Sequence, residues 1–256
     1  MTLADLVRAQ GCNADILLVN GFPVSLETVL SDGDQCWLWK RGTSPSAEEM
    51  QHLLYARHTP GVQTRLQGKA VGIMGLGGLG SSVAIALARM GIGSLLLADY
   101  DVVEPTNLNR QQYFTDQIGQ KKTVALRDIL QRINPHVGVT VIDRRLVEDD
   151  IGLLFKDIHA LVECFDDPAM KAAGLRAALH HLPGVFYVGA SGLAGYGENN
   201  AIQTRRLYPG IYLVGDEVSA AAPGQGLMAA RVGIAAHHQA NQVVRLLLGV
   251  ENEDGA

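Results

Sequence analysis

The glycine-rich segment 75–80, with the sequence GLGGLG, constrains the fold of this chain more than any other feature. It follows the apolar run AVGIM, which is typical of a buried strand, and it precedes a helical pattern at 81–90. Glycine permits a sharp turn and lets phosphate oxygens approach backbone amides, and the helix N-terminus adds N–H groups and a positive dipole end. The segment therefore predicts a strand–loop–helix unit that binds phosphates through Gly75, Gly77, Gly78 and Gly80.

Strands and helices alternate after this loop. Apolar runs typical of buried strands alternate with amphipathic helical patterns, and a hairpin and a long closing helix follow. This order predicts an α/β fold with a Rossmann-like, doubly wound, mainly parallel sheet and right-handed crossovers. The predicted strands are 70–74, 94–98, 139–143, 159–164 and 185–190, and the predicted helices are 81–90, 121–133, 170–182 and 226–249.

The first part of the chain has a different pattern. Short apolar strands at 16–19 and 36–40 are separated by the turn sequences Asn20-Gly21 and Asp32-Gly33-Asp34. The residues from Gly42 to Ser46 indicate a linker. We therefore predict a small β-rich segment over 1–45 and a main domain over 46–256.

Composition argues against two classes of partner. The net charge is −5 and no basic block occurs, so electrostatics does not favour a nucleic acid or a membrane surface. The three cysteines are scattered and form no CxxC pair, which favours a reducing compartment. The N-terminus lacks a secretory pattern and no apolar run reaches the length of a membrane span. These features predict a cytoplasmic protein.

Charged and amide side chains cluster around the connection that follows the second strand of the sheet. Asp99 ends this strand about 20 residues beyond the glycine loop, where an acid can bind ribose hydroxyls. Cations in the connection suit phosphate chemistry, because negative charge must be neutralised during nucleotide transfer, whereas hydride transfer needs no such pair. A solvated surface loop of the same composition is an alternative on the residues alone. The candidates are Asp101, Asn107, Arg110, Gln111 and Lys122.

Several motifs in this order carry a resemblance to a known family. GLGGLGSS, DYDVVEPTNLNRQQYF, IGQKK and RINP resemble the ThiF/MoeB branch of the ubiquitin-activating-enzyme superfamily. The segments ARHTPGVQTRLQGKAVGIMG and ECFDD and the closing helix extend the resemblance over about 49–249. The chain is most similar to short ThiF-like adenylyltransferases of the sulfur carrier ThiS. The first segment also resembles the second half of a ThiS-like β-grasp carrier, without its first hairpin.

The resemblance implies a role for each matching residue. Asp99 would bind the ATP ribose, and the four glycines would line the nucleotide loop. Asn107, Arg110 and Lys122 match phosphate-handling positions of the family. Asp166 matches the aspartate that holds magnesium, with Asp167 as the second candidate. Arg57 resembles an arginine that reaches into the ATP site of a partner subunit, which requires a homodimer.

The resemblance implies a reaction that converts the C-terminal carboxylate of a ubiquitin-like carrier into an acyl-adenylate. ATP and Mg²⁺ would be used, and the activated group would be the C-terminal glycine carboxylate of a ThiS-like carrier for thiamine thiazole synthesis. The same chemistry on a molybdopterin-type carrier, another carrier or a tRNA is an alternative. An NAD-dependent oxidoreductase explains the loop and Asp99 but not the remaining charged residues, and a non-catalytic binding module predicts that those residues are lost.

Two departures from the family limit the implied chemistry. The CxxC pairs that hold structural zinc in many relatives are absent, so we expect no zinc. No cysteine follows Cys164, so we expect the reaction to stop at the acyl-adenylate, and Cys164 itself is interpreted as a buried core thiol. The segment GDEVSAAAPGQG is interpreted as shaping the channel for the extended tail of the carrier.

Overall fold

The computed structural model describes residues 1–44 and 46–250. It divides into two compact units, of which the first covers Met1–Thr64 and the second begins at Arg65. Pro45 and residues 251–256 lie outside the described residues. The predicted segments 1–45 and 46–256 end at these positions. The proposed boundary between residues 45 and 46 stays a prediction.

The first unit contains a small antiparallel sheet and short helices. Helix α1 (Leu3–Gln10) is an addition to the predicted elements; a reciprocal capping box between Thr2 and Asp5 starts it, and Gly11 ends it in the left-handed conformation. Strands β1 (Ile16–Val19), β2 (Phe22–Pro23) and β3 (Cys36–Trp39) pair in the order β2-β1-β3. Helix α2 (Ala47–Leu53) follows, capped by Ser46.

The second unit holds the large α/β fold. After α3 (Val62–Leu66), strands and helices alternate along the chain, and the predicted elements lie within a few residues of their expected boundaries. The helix at Glu148–Leu154 was not predicted. The elements are β4 (Ala70–Met74), α4 (Gly78–Arg89), β5 (Ser94–Asp99), α5 (Lys122–Ile133), β6 (Gly138–Asp143), α6 (Glu148–Leu154), β7 (Ala160–Glu163), α7 (Pro168–His181), β8 (Phe186–Ala190), β9 (Gln203–Tyr208), β10 (Ile211–Gly215) and α8 (Ala229–Leu247).

The sheet of this unit has seven strands in the order β6-β5-β4-β7-β8-β10-β9. Neighbouring strands are parallel except β9 and β10, which form the predicted hairpin. The predicted α/β fold with a mainly parallel, doubly wound sheet and a small N-terminal β-rich segment is therefore confirmed. Because β5 and β7 lie on opposite sides of β4, the carboxyl ends of β4 and β7 border the switch point where such sheets form a crevice.

Apolar packing holds these strand ends in place. Helix α6 packs against α7, and α4 packs against α5 and α8. Met74 and Leu161 of the sheet share a buried cluster with Ile151 and Phe155. Each fully buried side chain of this size contributes about 1.5–3 kcal/mol by leaving water, so the strand ends at the switch point rest on a rigid base.

Candidate functional site

A cleft of about 440 Å³ lies at the carboxyl ends of the parallel strands. Its size is that of a small-molecule site. It is bordered by the ends of β4, β5, β7 and β8 and by the connection that precedes α5. The predicted site residues that line it are Gly75, Gly77, Gly78, Asp99, Asp101, Arg110, Gln111, Lys122 and Asp166.

The glycine loop is held in one conformation by its neighbours. Gly75 has φ +83°, and a Cβ there would meet the carbonyl oxygen of Cys164 at 2.8 Å, so only glycine fits. The Leu76 backbone N–H donates to Oδ2 of Asp99 at 2.6 Å. The hydroxyl of Tyr113 donates to the carbonyl oxygen of Leu76 at 2.7 Å. The loop is therefore tied from both sides at Leu76.

Replacing Tyr113 with phenylalanine is expected to lower stability, because it leaves the buried carbonyl of Leu76 without its donor. The expected loss is about 1 kcal/mol, or about 2–4 °C in melting temperature. Thermal and urea unfolding measure it. Tyr208→Phe is the control, since this tyrosine is mostly exposed. Equal stability of the two variants would contradict the clamping role of Tyr113.

Gly80 does not belong to the surface of the cleft. It lies within α4, where a Cβ would come within 1.9 Å of the carbonyl oxygen of Gly75. Its position lets the helix approach the loop closely, which is the packing role of the last glycine in this motif.

Asp99 is both a cleft residue and a support for the backbone. Its side chain is buried, its Oδ2 accepts from Leu76, and its Oδ1 accepts from the backbone N–H of Asp101 at 2.8 Å. The carboxylate therefore fixes the glycine loop relative to β5. Binding of a ribose by Asp99 stays a prediction.

Lys122 provides a buried cation in the cleft wall. Its residue is only 5% exposed, and its Nζ lies 2.9 Å from Oδ2 of Asp101. Because an unpaired buried charge is costly, this carboxylate compensates the ammonium. The ion pair joins the start of α5 to the residues that follow β5, so both side chains have fixed positions.

Asn107 shapes the turn that carries Arg110 and Gln111. Its Oδ1 accepts from the backbone N–H of Glu104 at 3.1 Å, and its carbonyl oxygen accepts from the N–H groups of Arg110 and Gln111. Asn107 is buried, and it is not among the residues that line the cleft in the described part of the chain. Its predicted contact with phosphate stays untested, whereas its contact with the turn is direct.

Arg110 and Gln111 present polar groups to the cleft. The Arg110 Nη1 donates to the carbonyl of Thr106 and to Oδ1 of Asn109, at 3.2 and 2.8 Å. No hydrogen bond within the described residues uses the other two guanidinium nitrogens. The Oε1 of Gln111 is buried without a donor among the described residues. A buried acceptor without a partner costs free energy, which a bound ligand that donates a hydrogen bond would remove.

The two aspartates after β7 have different surroundings. Asp167 caps α7, because its Oδ1 accepts from the N–H of Ala169 at 2.8 Å. Asp166 is exposed in the cleft and has no hydrogen bond to the described residues. A magnesium ion commonly takes one or two carboxylates together with substrate phosphates, and Asp166 fits this use. Among residues 1–44 and 46–250, no cluster of three or more metal-binding side chains is present.

Three further cations, which the sequence did not predict as site residues, line the cleft. They are Arg144 and Arg145, which follow β6, and Lys171 of α7. The Lys171 Nζ contacts Oε1 of the buried Glu163 at 3.0 Å and the carbonyl of Ala190 at 2.8 Å. Burial raises the pKa of the Glu163 carboxyl, and Lys171 counteracts part of the rise. Arg144 and Arg145 directly follow the predicted strand 139–143, and this position could have indicated that they lie at the edge of the sheet where ligands bind.

Cys164 is buried beside the cleft. Its Sγ lies 3.7 Å from Oε1 of Gln239, and burial raises the pKa of its thiol well above the usual value. A thiol without access to the thiolate form is a poor nucleophile. The site therefore offers no activated sulfur at this position.

Arg57 belongs to the first unit, where it is exposed after α2. Its predicted contact with the ATP site of a partner subunit stays a prediction. Among the described helices, none has the length and apolar character needed to cross a bilayer.

The fold and the cleft define a class: doubly wound α/β proteins with a glycine-rich loop at the switch point of a parallel sheet. A model of the ThiF family matches residues 50–255, and a model described as ThiS-like ubiquitin matches residues 1–42. The chain therefore belongs to the ThiF family. Its relatives place it in the ThiF/MoeB branch of the ubiquitin-activating-enzyme superfamily, as the motifs predicted.

Two curated relatives illustrate the similarity. The molybdopterin-synthase adenylyltransferase of Escherichia coli (strain K12) is 37% identical over 110 residues, which cover 43% of this chain and 44% of that protein. The adenylyltransferase and sulfurtransferase UBA4 of Yarrowia lipolytica is 31% identical over 197 residues, which cover 75% of this chain and 49% of that protein. The chain thus spans less than half the length of these relatives.

Solved structures share the fold. The Escherichia coli tRNA N6-threonylcarbamoyladenosine dehydratase TcdA in complex with ATP has a TM-score of 0.72 and 21% identity, and the match covers 83% of this chain and 100% of that chain. Escherichia coli MccB with ATP has a TM-score of 0.60 and 22% identity, with coverage of 82% and 65%. At these identities the likeness shows the fold alone.

Proposed function

We propose that this protein adenylates the C-terminal glycine carboxylate of a ubiquitin-like sulfur carrier with ATP. The observation that carries the proposal is the convergence of Arg110, Lys122 and Asp166 with the glycine loop in one cleft. The names of the relatives support it, since both curated proteins are adenylyltransferases. The ATP complexes of TcdA and MccB support a nucleotide in a cleft of this fold.

The residues of the cleft suit such a transfer. The N–H groups of the glycine loop and the N-terminus of α4 would bind phosphate oxygens, and Arg110 and Lys122 would neutralise charge near the α-phosphorus. A carboxylate is already a nucleophile, so attack on the α-phosphorus with release of pyrophosphate needs no general base. The protein's task is orientation and charge neutralisation. A magnesium ion held by Asp166 would add positive charge at the phosphates.

We infer that the carrier is ThiS-like and serves thiamine thiazole synthesis. The ThiS-like ubiquitin match in residues 1–42 supports this class of carrier, because one chain then matches both a ThiF model and a ThiS-like model. A molybdopterin-type carrier is the second candidate, favoured by the 37% identical relative. We further propose a homodimer in the cytoplasm, in which Arg57 of each subunit serves the cleft of the other.

ATP with Mg²⁺ is expected to stabilise the folded protein more than NAD does, because its triphosphate would engage both Arg110 and Lys122. A ligand at 100 times its dissociation constant adds about 2.7 kcal/mol, which corresponds to about 5–10 °C. A thermal-shift titration with each ligand measures the difference. Stabilisation by NAD alone would support the oxidoreductase and contradict the proposal.

Carrier-dependent exchange of pyrophosphate into ATP then tests the reaction itself. A ThiS carrier and a molybdopterin-type carrier are compared, and each is also supplied with its C-terminus amidated, which removes the nucleophile. We expect exchange with the free carboxylate of the ThiS carrier and none with the amide. Exchange with the molybdopterin-type carrier alone would exclude the thiamine assignment, and ATP binding without exchange for either carrier would contradict adenylation of these carriers.

A further inference from the structure

A buried arginine near the start of α8 joins several segments of the second unit. Arg231 is only 5% exposed. Its Nη1 donates to the carbonyl oxygens of Gly197 and Glu198, at 2.9 and 3.0 Å, and its Nη2 donates to Oδ2 of Asp216 at 2.7 Å. The planar guanidinium thus reaches two backbone carbonyls and one carboxylate at once, a geometry that an ammonium does not reproduce.

Asp216 extends this connection into the backbone that follows β10. Its Oδ1 accepts from the N–H groups of Val218 and Ser219, at 2.9 and 2.8 Å. Burial by itself would raise the pKa of this carboxyl, but these hydrogen bonds and Arg231 lower it well below its usual range. The carboxylate is therefore held ionised, with each oxygen bonded.

Two segments tied by this ion pair line the cleft. Residues 191–194 and 219–221 border it, and we call them the distal wall. The N–H of Asp216 donates to the carbonyl of Gly192 at 2.8 Å, and the N–H of Ala194 donates to Oγ of Ser219 at 3.0 Å. A Cβ at Gly192 would come within 2.1 Å of Oδ1 of Asp216. Arg231 and Asp216 thus fix the distal wall to α8.

The distal wall is suited to an extended peptide. Most of its side chains are small, as at Gly192, Ala194, Ala220 and Ala221, which leaves room for a narrow peptide beside the wall. It follows β8 and β10, whereas the glycine loop and Asp99 follow β4 and β5, nearer the other edge of the sheet. A nucleotide on the loop and a narrow glycine-ended tail on the distal wall would meet in the middle of the cleft.

We infer that Arg231 and Asp216 are positioning residues that set the distal wall for the C-terminal tail of the carrier. The inference rests on the proposed adenylation and names residues that act on the carrier rather than on ATP. Loss of the three hydrogen bonds of the Arg231 guanidinium would let residues 192–201 and 216–221 move. A mobile wall weakens binding of the tail but leaves the N–H groups of the glycine loop, which would bind phosphate, in place.

Steady-state kinetics of two variants test the inference. Arg231→Lys keeps the charge but loses the planar guanidinium group. The double variant Asp216→Asn with Arg231→Met leaves no unpaired buried charge, which protects folding. We expect the KM for the ThiS carrier to rise about tenfold or more while the KM for ATP stays within about twofold. Arg176→Met is the control, because Arg176 pairs with Glu148 on the exposed surface. Equal changes in both KM values, or none, would overturn the inference.

Amide hydrogen exchange gives a second readout that needs no turnover. We expect faster exchange at residues 192–201 and 216–221 in both variants, and unchanged exchange at the glycine loop. Unchanged protection of these segments would also overturn the role of Arg231. A wild-type protein that binds ATP but adenylates no carrier would instead contradict the proposed function, and amide exchange would still show whether Arg231 fixes the distal wall.

Discussion

Arg110→Ala and Asp166→Ala are each expected to abolish carrier-dependent pyrophosphate exchange without unfolding the protein. Both side chains line the cleft, and neither is part of the buried core. Removing one preorganised charge from a transition state lowers the rate by about 10²–10³-fold, which takes the exchange below detection. Exchange of labelled pyrophosphate into ATP, measured beside urea unfolding curves, tests the result.

Two further substitutions control this experiment. Asp167→Ala removes the cap of α7 and is expected to cost about 1 kcal/mol of stability, while exchange remains measurable. Arg132→Ala removes an exposed arginine of α5 that lies outside the cleft lining. If Asp167→Ala abolishes exchange and Asp166→Ala does not, the assignment of the two acids is reversed. Wild-type exchange in both Arg110→Ala and Asp166→Ala would contradict their proposed roles.

The α/β fold was predictable because its signals are local. Each buried strand is a short apolar run and each helix has its own amphipathic pattern, so alternation alone gave the parallel sheet. The carboxyl ends of parallel strands meet at one edge, so residues that follow those strands were expected together. Asp99 and Asp166, at or just after the ends of β5 and β7, share one cleft for this reason. Helix α1 was missed although its signals are local, because Leu3, Leu6 and Val7 have helical spacing and Thr2 and Asp5 form a capping box at its start.

Contacts between distant segments had no local signal. The pairing of Lys171 with Glu163 depends on how α7 packs over the end of β7. The hydrogen bonds of the Arg231 guanidinium depend on the fold of two loops that follow β8 and β10. The amphipathic pattern of α8 shows only that Arg231 belongs to the helix. Its burial and its acceptors follow from tertiary packing, which periodicity does not encode.

The glycine loop also shows where a motif and its geometry differ. The four glycines were predicted to act alike, as the lining of a phosphate site. Gly75, Gly77 and Gly78 line the cleft, whereas Gly80 faces the carbonyl oxygen of Gly75 inside the fold. A Cβ at Gly77 would instead find the amide nitrogen of Gln111 as its nearest neighbour, at 3.7 Å. The same substitution, glycine to alanine, should therefore have different consequences at two positions of the same loop.

Gly80→Ala is expected to destabilise the protein by about 3 kcal/mol or more, because the new methyl group overlaps the backbone of Gly75 and forces α4 away from β4. Helix propensity alone predicts the opposite sign, a gain of about 1 kcal/mol, so urea unfolding decides between the two effects. Gly77→Ala should cost only about 1 kcal/mol, since Gly77 is the N-cap of α4 and its methyl group would meet only the cleft, but it should weaken ATP binding in a thermal-shift titration. A stabilised Gly80→Ala protein would show that the contact between the helix and the loop is not the reason for this glycine.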